Sequence, residues 1–192
     1  MSDDIPADTT LGILAGGRAR RLGGIDKAWL SRDGVPQVLR IARRFALEVD
    51  ATLVSANHDA ARYAACGLTS VEDAVRDAGP IGGLDALART CATTWLLTIP
   101  VDVVGVNECL LQTLHAFAGG VGAFAIDEDG LQPLVALWMV ASLRKALPAF
   151  LAAGDHAVQD LQRQLGMREV RFAGVRFGNL NTPADLAAAG VQ

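Results

Sequence analysis

The chain is poor in the residues on which several whole classes of chemistry depend. Three of its 192 residues are cysteine, and Cys66, Cys91 and Cys109 are odd in number and far apart. That suits neither a disulfide framework nor a metal-ligand spacing, and it points to reduced thiols in a cytoplasmic protein. His58, His115 and His156 are equally scattered, in no metal-ligand spacing. Long apolar runs are lacking too: the longest, Leu134 to Ala141, is far too short to span a bilayer. The start, Met1-Ser2-Asp3-Asp4-Ile5-Pro6, is acidic and has no cationic segment before an apolar core, which argues against a secretory signal. Positive charge is not in excess either. Seventeen Lys and Arg face 21 Asp and Glu, for a net charge of −4, so no global basic field points to nucleic acid or to a membrane surface.

Familiar motifs are missing as well. No G-x-S-x-G elbow seats a hydrolase nucleophile. Asp127-Glu128-Asp129-Gly130 lacks the downstream pattern of a calcium loop and reads as a hairpin turn. Trp29, Trp95 and Trp138 read as core aromatics. Repeats, low-complexity tracts and linkers are absent, and the composition, 51% apolar and 20% charged, is that of a globular chain.

What is present concentrates in one stretch, Leu11 to Lys27. An apolar run breaks at Gly16-Gly17, and Arg18, Arg20, Arg21 and Lys27 follow, interrupted by Gly23-Gly24. Glycine lets the backbone approach a ligand and turn its amides onto an anion, while the cations supply the charge a polyphosphate needs. This is no P-loop, because Asp26 precedes Lys27 and Ala28 follows it, and no register gives G-x-G-x-x-G. The competing reading is a glycine-rich surface turn beside a solvated basic patch.

After a frayed leader over residues 1–9, strand patterns are read at Thr10–Leu14, Ala51–Ala56, Thr69–Glu72 and Trp95–Ile99. Helical spacing lies between them: Val38 to Val49 has apolar residues at Val38, Leu39, Ile41, Ala42, Phe45, Ala46 and Val49. A second helix runs from a cap at Asp59 to Cys66, where Gly67 stops it, and a third runs from about Leu84 to Cys91. A helix over Asn107–Phe117 precedes a strand pair, Val121–Ile126 and Pro133–Met139. Helices around Ser142–Ala153 and Ala157–Leu165, a strand at Glu169–Phe172 and a proline-started C-terminal helix complete the chain. The expectation is an α/β fold over residues 10–192, with a doubly wound, mainly parallel sheet and a late antiparallel insertion in a single domain.

Ligands of open α/β sheets bind beyond the carboxyl ends of the strands. Those ends carry Ala15-Gly16-Gly17, Ser55 with Asn57, Asp73, and Asp102. Asp102 follows so apolar a strand that its charge needs a reason. Mg²⁺, which takes one or two carboxylates plus substrate phosphates, is one, and a helix cap is the other. Asp73 suits ribose hydroxyls or a base edge, or else is a solvated loop acid. Gly79-Pro80-Ile81-Gly82-Gly83 reads as a turn whose following helix could face a nucleotide, or as a plain tight turn. Asn179 and Asn181 can project together toward a substrate, or simply lead into a helix.

Leu14-Ala15-Gly16-Gly17 to Lys27, Glu72-Asp73, Gly79 to Gly83, Pro100-Val101-Asp102, Gln132 to Leu137 and Asn179 to Leu186 occur in the order found in the molybdenum cofactor guanylyltransferases, which the chain resembles from about Leu11 to Leu186. The resemblance implies a Rossmann-like nucleotidyltransferase fold that binds GTP and Mg²⁺ and joins GMP to the phosphate of molybdopterin, with release of pyrophosphate. By position it implies Leu14, Ala15, Gly16, Gly17, Ser55 and Asp73 around the nucleoside, and Lys27 and Arg21 on the triphosphate. It implies Asp102 on the metal, and Gly82, Asn179 and Asn181 on the pterin side. Proteins that deliver molybdopterin or receive the finished cofactor would be partners. The chain departs from the family pattern at Val101, Val103 and Val104 around Asp102, and at Ser55, where many members carry an Asn. A CTP- or sugar-phosphate-dependent transferase, and a non-catalytic nucleotide or molybdopterin binder, are the rival expectations.

Overall fold

The structure, a computed structural model, describes residues 8–16, 26–75, 78–106, 108–154 and 157–191. The loop with Gly17, Arg18, Arg20, Arg21, Gly23 and Gly24 lies outside the described residues, as does Asn107.

Among the described residues the first elements are β1 (Thr9–Leu14) and a 3-10 turn at Lys27–Trp29. A two-strand hairpin follows, β2 (Ser31–Arg32) and β3 (Val35–Pro36), which the sequence reading missed. Its turn residues, Asp33 and Gly34, both have positive φ, the geometry that matches the twist of paired strands. Then come α1 (Gln37–Phe45), β4 (Ala51–Ser55), α2 (Ala60–Ala65), β5 (Thr69–Val71), α3 (Gly79–Thr90) and β6 (Trp95–Pro100). After α4 (Leu110–Phe117), the chain forms β7 (Gly122–Asp127) and β8 (Gly130–Met139), then α5 (Val140–Ala152), α6 (Val158–Leu165), β9 (Arg168–Arg171) and α7 (Pro183–Ala189). No helix of the described residues is long and apolar enough to cross a membrane.

Among the described residues, seven strands form one sheet in the order β5-β4-β1-β6-β8-β7-β9. Pairing is parallel throughout except where β8 runs against β6 and β7, so the expected antiparallel element is this one strand. Both faces are covered. Leu11 and Ile13 of β1 are fully buried on the face that takes α1, α2 and α4, through residues such as Phe45, Tyr63 and Leu114. Alternate residues face α3, α5 and α6, where Leu84, Leu87, Trp138, Leu143 and Leu161 make a second core. Burying each such side chain contributes ~1.5–3 kcal/mol. Gly12 lets α3 approach β1 closely: a Cβ there would lie 2.9 Å from side-chain carbons of Leu87 and Leu96.

Two local expectations need correction. Asp59 precedes α2, but its side chain makes no capping bond; it adopts a left-handed conformation, and its carbonyl accepts from Arg62 N–H. The glycines from Gly79 to Gly83 form no separate turn. They are the first turns of α3, because small residues there let the helix lie directly on the ends of β4 and β5. Of the tryptophans, Trp138 and Trp95 are buried, and Trp138 Nε1 donates to Thr98 Oγ1 at 2.9 Å. Trp29 is half-buried, with the Arg62 guanidinium 3.9 Å over its ring and the Tyr63 ring tilted against it at 4.9 Å.

Asp127, at the hairpin between β7 and β8, is 1% exposed. It accepts from Phe177 N–H at 2.8 Å, Asp129 N–H at 2.9 Å and Gln132 Nε2 at 3.1 Å. Burial opposes its charge, but these donors outweigh it and hold the carboxyl below its usual range. A depressed folded pKa gives stability that is present above the ordinary value of 3.8 and is lost as pH falls through the folded one. Asp127→Ala is expected to lower stability by ~1–3 kcal/mol at pH 7. In urea unfolding, its deficit against the wild type should shrink as the pH falls below that ordinary value.

Candidate active site

The parallel strands end level. Leu14 pairs with Ser55 on one side and Pro100 on the other, and Ser55 pairs with Val71. The ladder runs on for one more step through Ala15 N–H to Ser55 O, Ala56 N–H to Val71 O and Val101 N–H to Leu14 O. Beyond these ends lies a cleft of about 300 Å³. Leu14, Ala15 and Gly16 line it from β1, Ser55 from β4, Asp73 from beyond β5, and Pro100, Val101 and Asp102 from β6. Gly79, Pro80 and Gly83 of α3 close one side, and Lys27 and Leu134 complete the wall. Leu134 reaches it through a bulge: Gln132 pairs with Ala125 and Ala136 with Phe124, so the residues between them are displaced from the ladder. Thr98 Oγ1 fixes that bulge by donating to Leu134 O at 2.8 Å.

Charge gathers at the β6 end. Asp26 accepts from Ala28 N–H and so turns the chain at the short helix that carries Lys27. Lys27 Nζ donates to Asp102 Oδ2 at 2.9 Å and to Asn181 Oδ1 at 2.7 Å. The Lys27 and Asp102 side chains are 17% and 22% exposed, which leaves both open to a ligand. Two other segments fix the Asp102 backbone. Leu180 N–H donates to Asp102 O, Val103 bridges Asn179, and Gln37 Nε2 donates to Val103 O at 2.7 Å. Asn181 is steadied in turn by Asp185, which accepts from Asn181 N–H and Thr182 N–H and closes a capping box at α7. The Thr182 hydroxyl first, and then these amides, hold the Asp185 carboxyl below its usual range.

A second polar group sits at the β4 and β5 ends. Ser55 Oγ donates to Asp73 Oδ1 at 3.1 Å, Asn57 Nδ2 donates to Asp73 Oδ2 at 3.0 Å, and Asp73 N–H donates to Asn57 Oδ1 at 2.9 Å.

Among the described residues, no group of three or more His, Cys, Asp or Glu gathers to hold a metal. The oxygens of Asp102 and Asn181 nonetheless converge on one ammonium ion. A hard oxygen pair of this kind fits a divalent cation that takes its remaining ligands from phosphates and water.

Leu14, Ala15, Gly16, Lys27, Ser55, Asp73 and Asp102, all named from sequence, therefore share one cleft. Arg21 and Gly17 lie outside the described residues. Gly82 is buried behind the wall, where a Cβ would meet Val75 O at 3.2 Å and the Asp73 carboxylate at 3.4 Å. Asn179 is in the bridge to Val103, and of the two asparagines it is Asn181 that reaches Lys27. Gly79, Pro80, Gly83, Pro100, Val101 and Leu134 also line the cleft and are not among the site residues named from sequence, although Gly79 to Gly83 are read there as opening a helix that could face a nucleotide. The bulge gives no local signal, whereas the Gly82-Gly83 pair does.

A family model described as the MobA-like NTP transferase domain matches residues 11–170. Two proteins named molybdenum cofactor guanylyltransferase are similar to the chain. One, from Cereibacter sphaeroides, is 39% identical over 92% of this chain and 93% of its own. The other, from Serratia proteamaculans (strain 568), is 35% identical over 90% and 89%. Among solved structures, the molybdopterin-guanine dinucleotide biosynthesis protein A from Archaeoglobus fulgidus superposes with a TM-score of 0.72 at 19% identity, covering 94% of this chain and 96% of that one. The 2-C-methyl-D-erythritol 4-phosphate cytidylyltransferase from Thermus thermophilus gives 0.70 at 17%, covering 93% and 96%. At these identities the structural likeness is one of fold.

Gly83 offers a test of the cleft floor. A Cβ at this position would lie 2.5 Å from Ser55 Oγ and 3.1 Å from Leu14 Cδ2. Gly83→Ala is expected to destabilise the protein by ~1–3 kcal/mol through overpacking. Ser55→Ala removes the nearest atom, so the double variant should recover part of that loss. A double-mutant cycle read by urea unfolding measures the coupling.

Proposed function

The chain belongs to the MobA-like NTP transferase family, and from that premise we propose that it transfers GMP from GTP to the phosphate of molybdopterin, forming the guanine dinucleotide cofactor and pyrophosphate. The observation that carries this reading is the Lys27–Asp102 pair, 2.9 Å apart at the open end of a cleft built from level parallel strands. The relatives' names supply the guanine and the pterin. Residues 10–192 act in this reading as one nucleotidyltransferase domain of the cytoplasm, with partners that deliver molybdopterin or receive the product.

The chemistry asks little of the protein beyond placement and charge. An oxygen of the acceptor phosphate attacks the α-phosphorus in line, the bond from that phosphorus to the bridging oxygen of the β-phosphate breaks, and pyrophosphate leaves with the electron pair. The acceptor is already ionised, so no side-chain base is required. Leu14, Ala15, Gly16 and Asp73 seat the nucleoside, and Lys27 and Arg21 neutralise the triphosphate. Asp102 would hold Mg²⁺, which when bound supplies further charge neutralisation at the phosphates. On contact with the triphosphate, Lys27 exchanges the Asp102 carboxylate for phosphate oxygens.

Pyrophosphate release from GTP, CTP, ATP and UTP, each with molybdopterin and with or without Mg²⁺, tests the proposal. GTP-selective, Mg²⁺-dependent release is the expected result. Selectivity for CTP, or nucleotide binding without release, would overturn it. Asp102→Ala and Lys27→Ala should each lower kcat by ~10²–10³-fold, the scale for loss of one positioned electrostatic group, with far-UV circular dichroism unchanged.

A further inference from the structure

Asn57 and Asp73 meet because of strand register. Leu53, Val54 and Ser55 of β4 stand opposite Thr69, Ser70 and Val71 of β5. Two residues beyond the last pair, Asn57 stands level with Asp73. The contact is reciprocal. The Asn57 amide donates to Asp73 Oδ2 at 3.0 Å and accepts the Asp73 backbone N–H at 2.9 Å, so backbone and carboxylate are held together. Ser55 Oγ holds the other oxygen at 3.1 Å. Ser55 is itself hemmed in, since its Oγ lies 2.5 Å from where a Cβ on Gly83 would stand. The whole group borders Gly16, whose Cβ, were there one, would lie 3.8–3.9 Å from Asp73 Oδ2, Asn57 Nδ2 and Ser55 Oγ.

We propose that Asn57, outside the cleft lining, is a positioning residue for nucleotide recognition: it holds the Asp73 carboxylate as an acceptor pair at the cleft wall beside Gly16. The inference rests on the nucleotide-binding reading of that cleft. Each carboxylate oxygen spends one acceptor position on the clamp and keeps another for a ligand. The matching ligand chemistry is a pair of adjacent donors, which a nucleoside triphosphate offers either as vicinal ribose hydroxyls or as the N–H pair of a guanine edge. A free Asp73 would have to be ordered on each binding event, and the clamp removes that loss.

The test titrates wild type, Asn57→Ala and the isosteric Asn57→Asp with GTP by calorimetry at pH 8. Asn57→Ala should bind GTP ~10-fold more weakly, the effect of one hydrogen bond to a charged group. Asn57→Asp keeps the acceptor for the Asp73 backbone N–H but sets a second carboxylate against that of Asp73, so binding should fall by more than ~10-fold. His58, Asp59 and Glu72 adjoin the pair, and Lys27 and Asp102 line the same cleft; because they are unchanged, each variant is read as its ratio to wild type. In turnover, Asn57→Ala should raise KM for GTP and leave kcat near wild type.

Inosine triphosphate and 2′-deoxy-GTP separate the two donor sources: the Asn57→Ala penalty should vanish with whichever lacks the donor that Asp73 reads. A penalty unchanged on both analogues would overturn the proposal, as would either variant binding GTP like wild type. Should Asn57→Ala fail to fold, the penalty of Asn57→Asp on GTP and on the two analogues decides. A wild type that binds no nucleotide sinks the reading of the cleft; wild-type binding with indifferent variants sinks only the clamp.

Discussion

Leu14 stands opposite Ser55 on one side and Pro100 on the other, and Ser55 stands opposite Val71. This shared register brings four parallel strands to a common edge, and the cleft exists because they stop together. A slip of one residue in any of them would turn its core residues outward and carry its polar terminus away from the others. Register in turn depends on the two-sided burial of β1, where Leu11 and Ile13 are fully enclosed on one face and Gly12 admits α3 on the other.

The polar groups of the cleft come already paired. Lys27 is held by Asp102 and Asn181, and Asp73 by Ser55 and Asn57. Pairing keeps the ionised side chains at the wall from being left without partners. It also divides the cleft by charge. One end presents an ammonium ion suited to phosphates, and the other a carboxylate suited to hydrogen-bond donors. A nucleoside triphosphate carries those two features at opposite ends, which is the electrostatic basis for reading the cleft as a nucleotide site.

The alternation of apolar strands and amphipathic helices was legible because each strand is short, apolar and followed by a polar or glycine residue. The lining residues Gly16, Ser55, Asp73 and Asp102 could be named from that rule alone. What escaped was everything decided by packing between segments. The Gly79–Gly83 run looks like a turn until it is seen lying on Ser55 and Asp73, where only small residues allow a helix. Leu134 is one apolar residue among many until the bulge against Phe124 and Ala125 displaces it into the cleft. The β2–β3 hairpin did carry its signal, Asp33-Gly34, but so short a pair is easily passed over. No local property of Asn181 indicates that it meets Lys27; only the order of motifs shared with a family placed both in one site.

Lys27 and Asn181 are 154 positions apart, and Asp102 lies between them. All seven strands of the sheet have been made by Arg171, before Asn181 is reached. A chain growing from its N-terminus can thus contain its entire sheet while the cationic end of the cleft is still incomplete. The C-terminal segment is what finishes the site: a chain cut short after Arg171 contains every strand of the sheet but loses the core side chains of Phe172 and Phe177 and one of the two oxygens that steady Lys27.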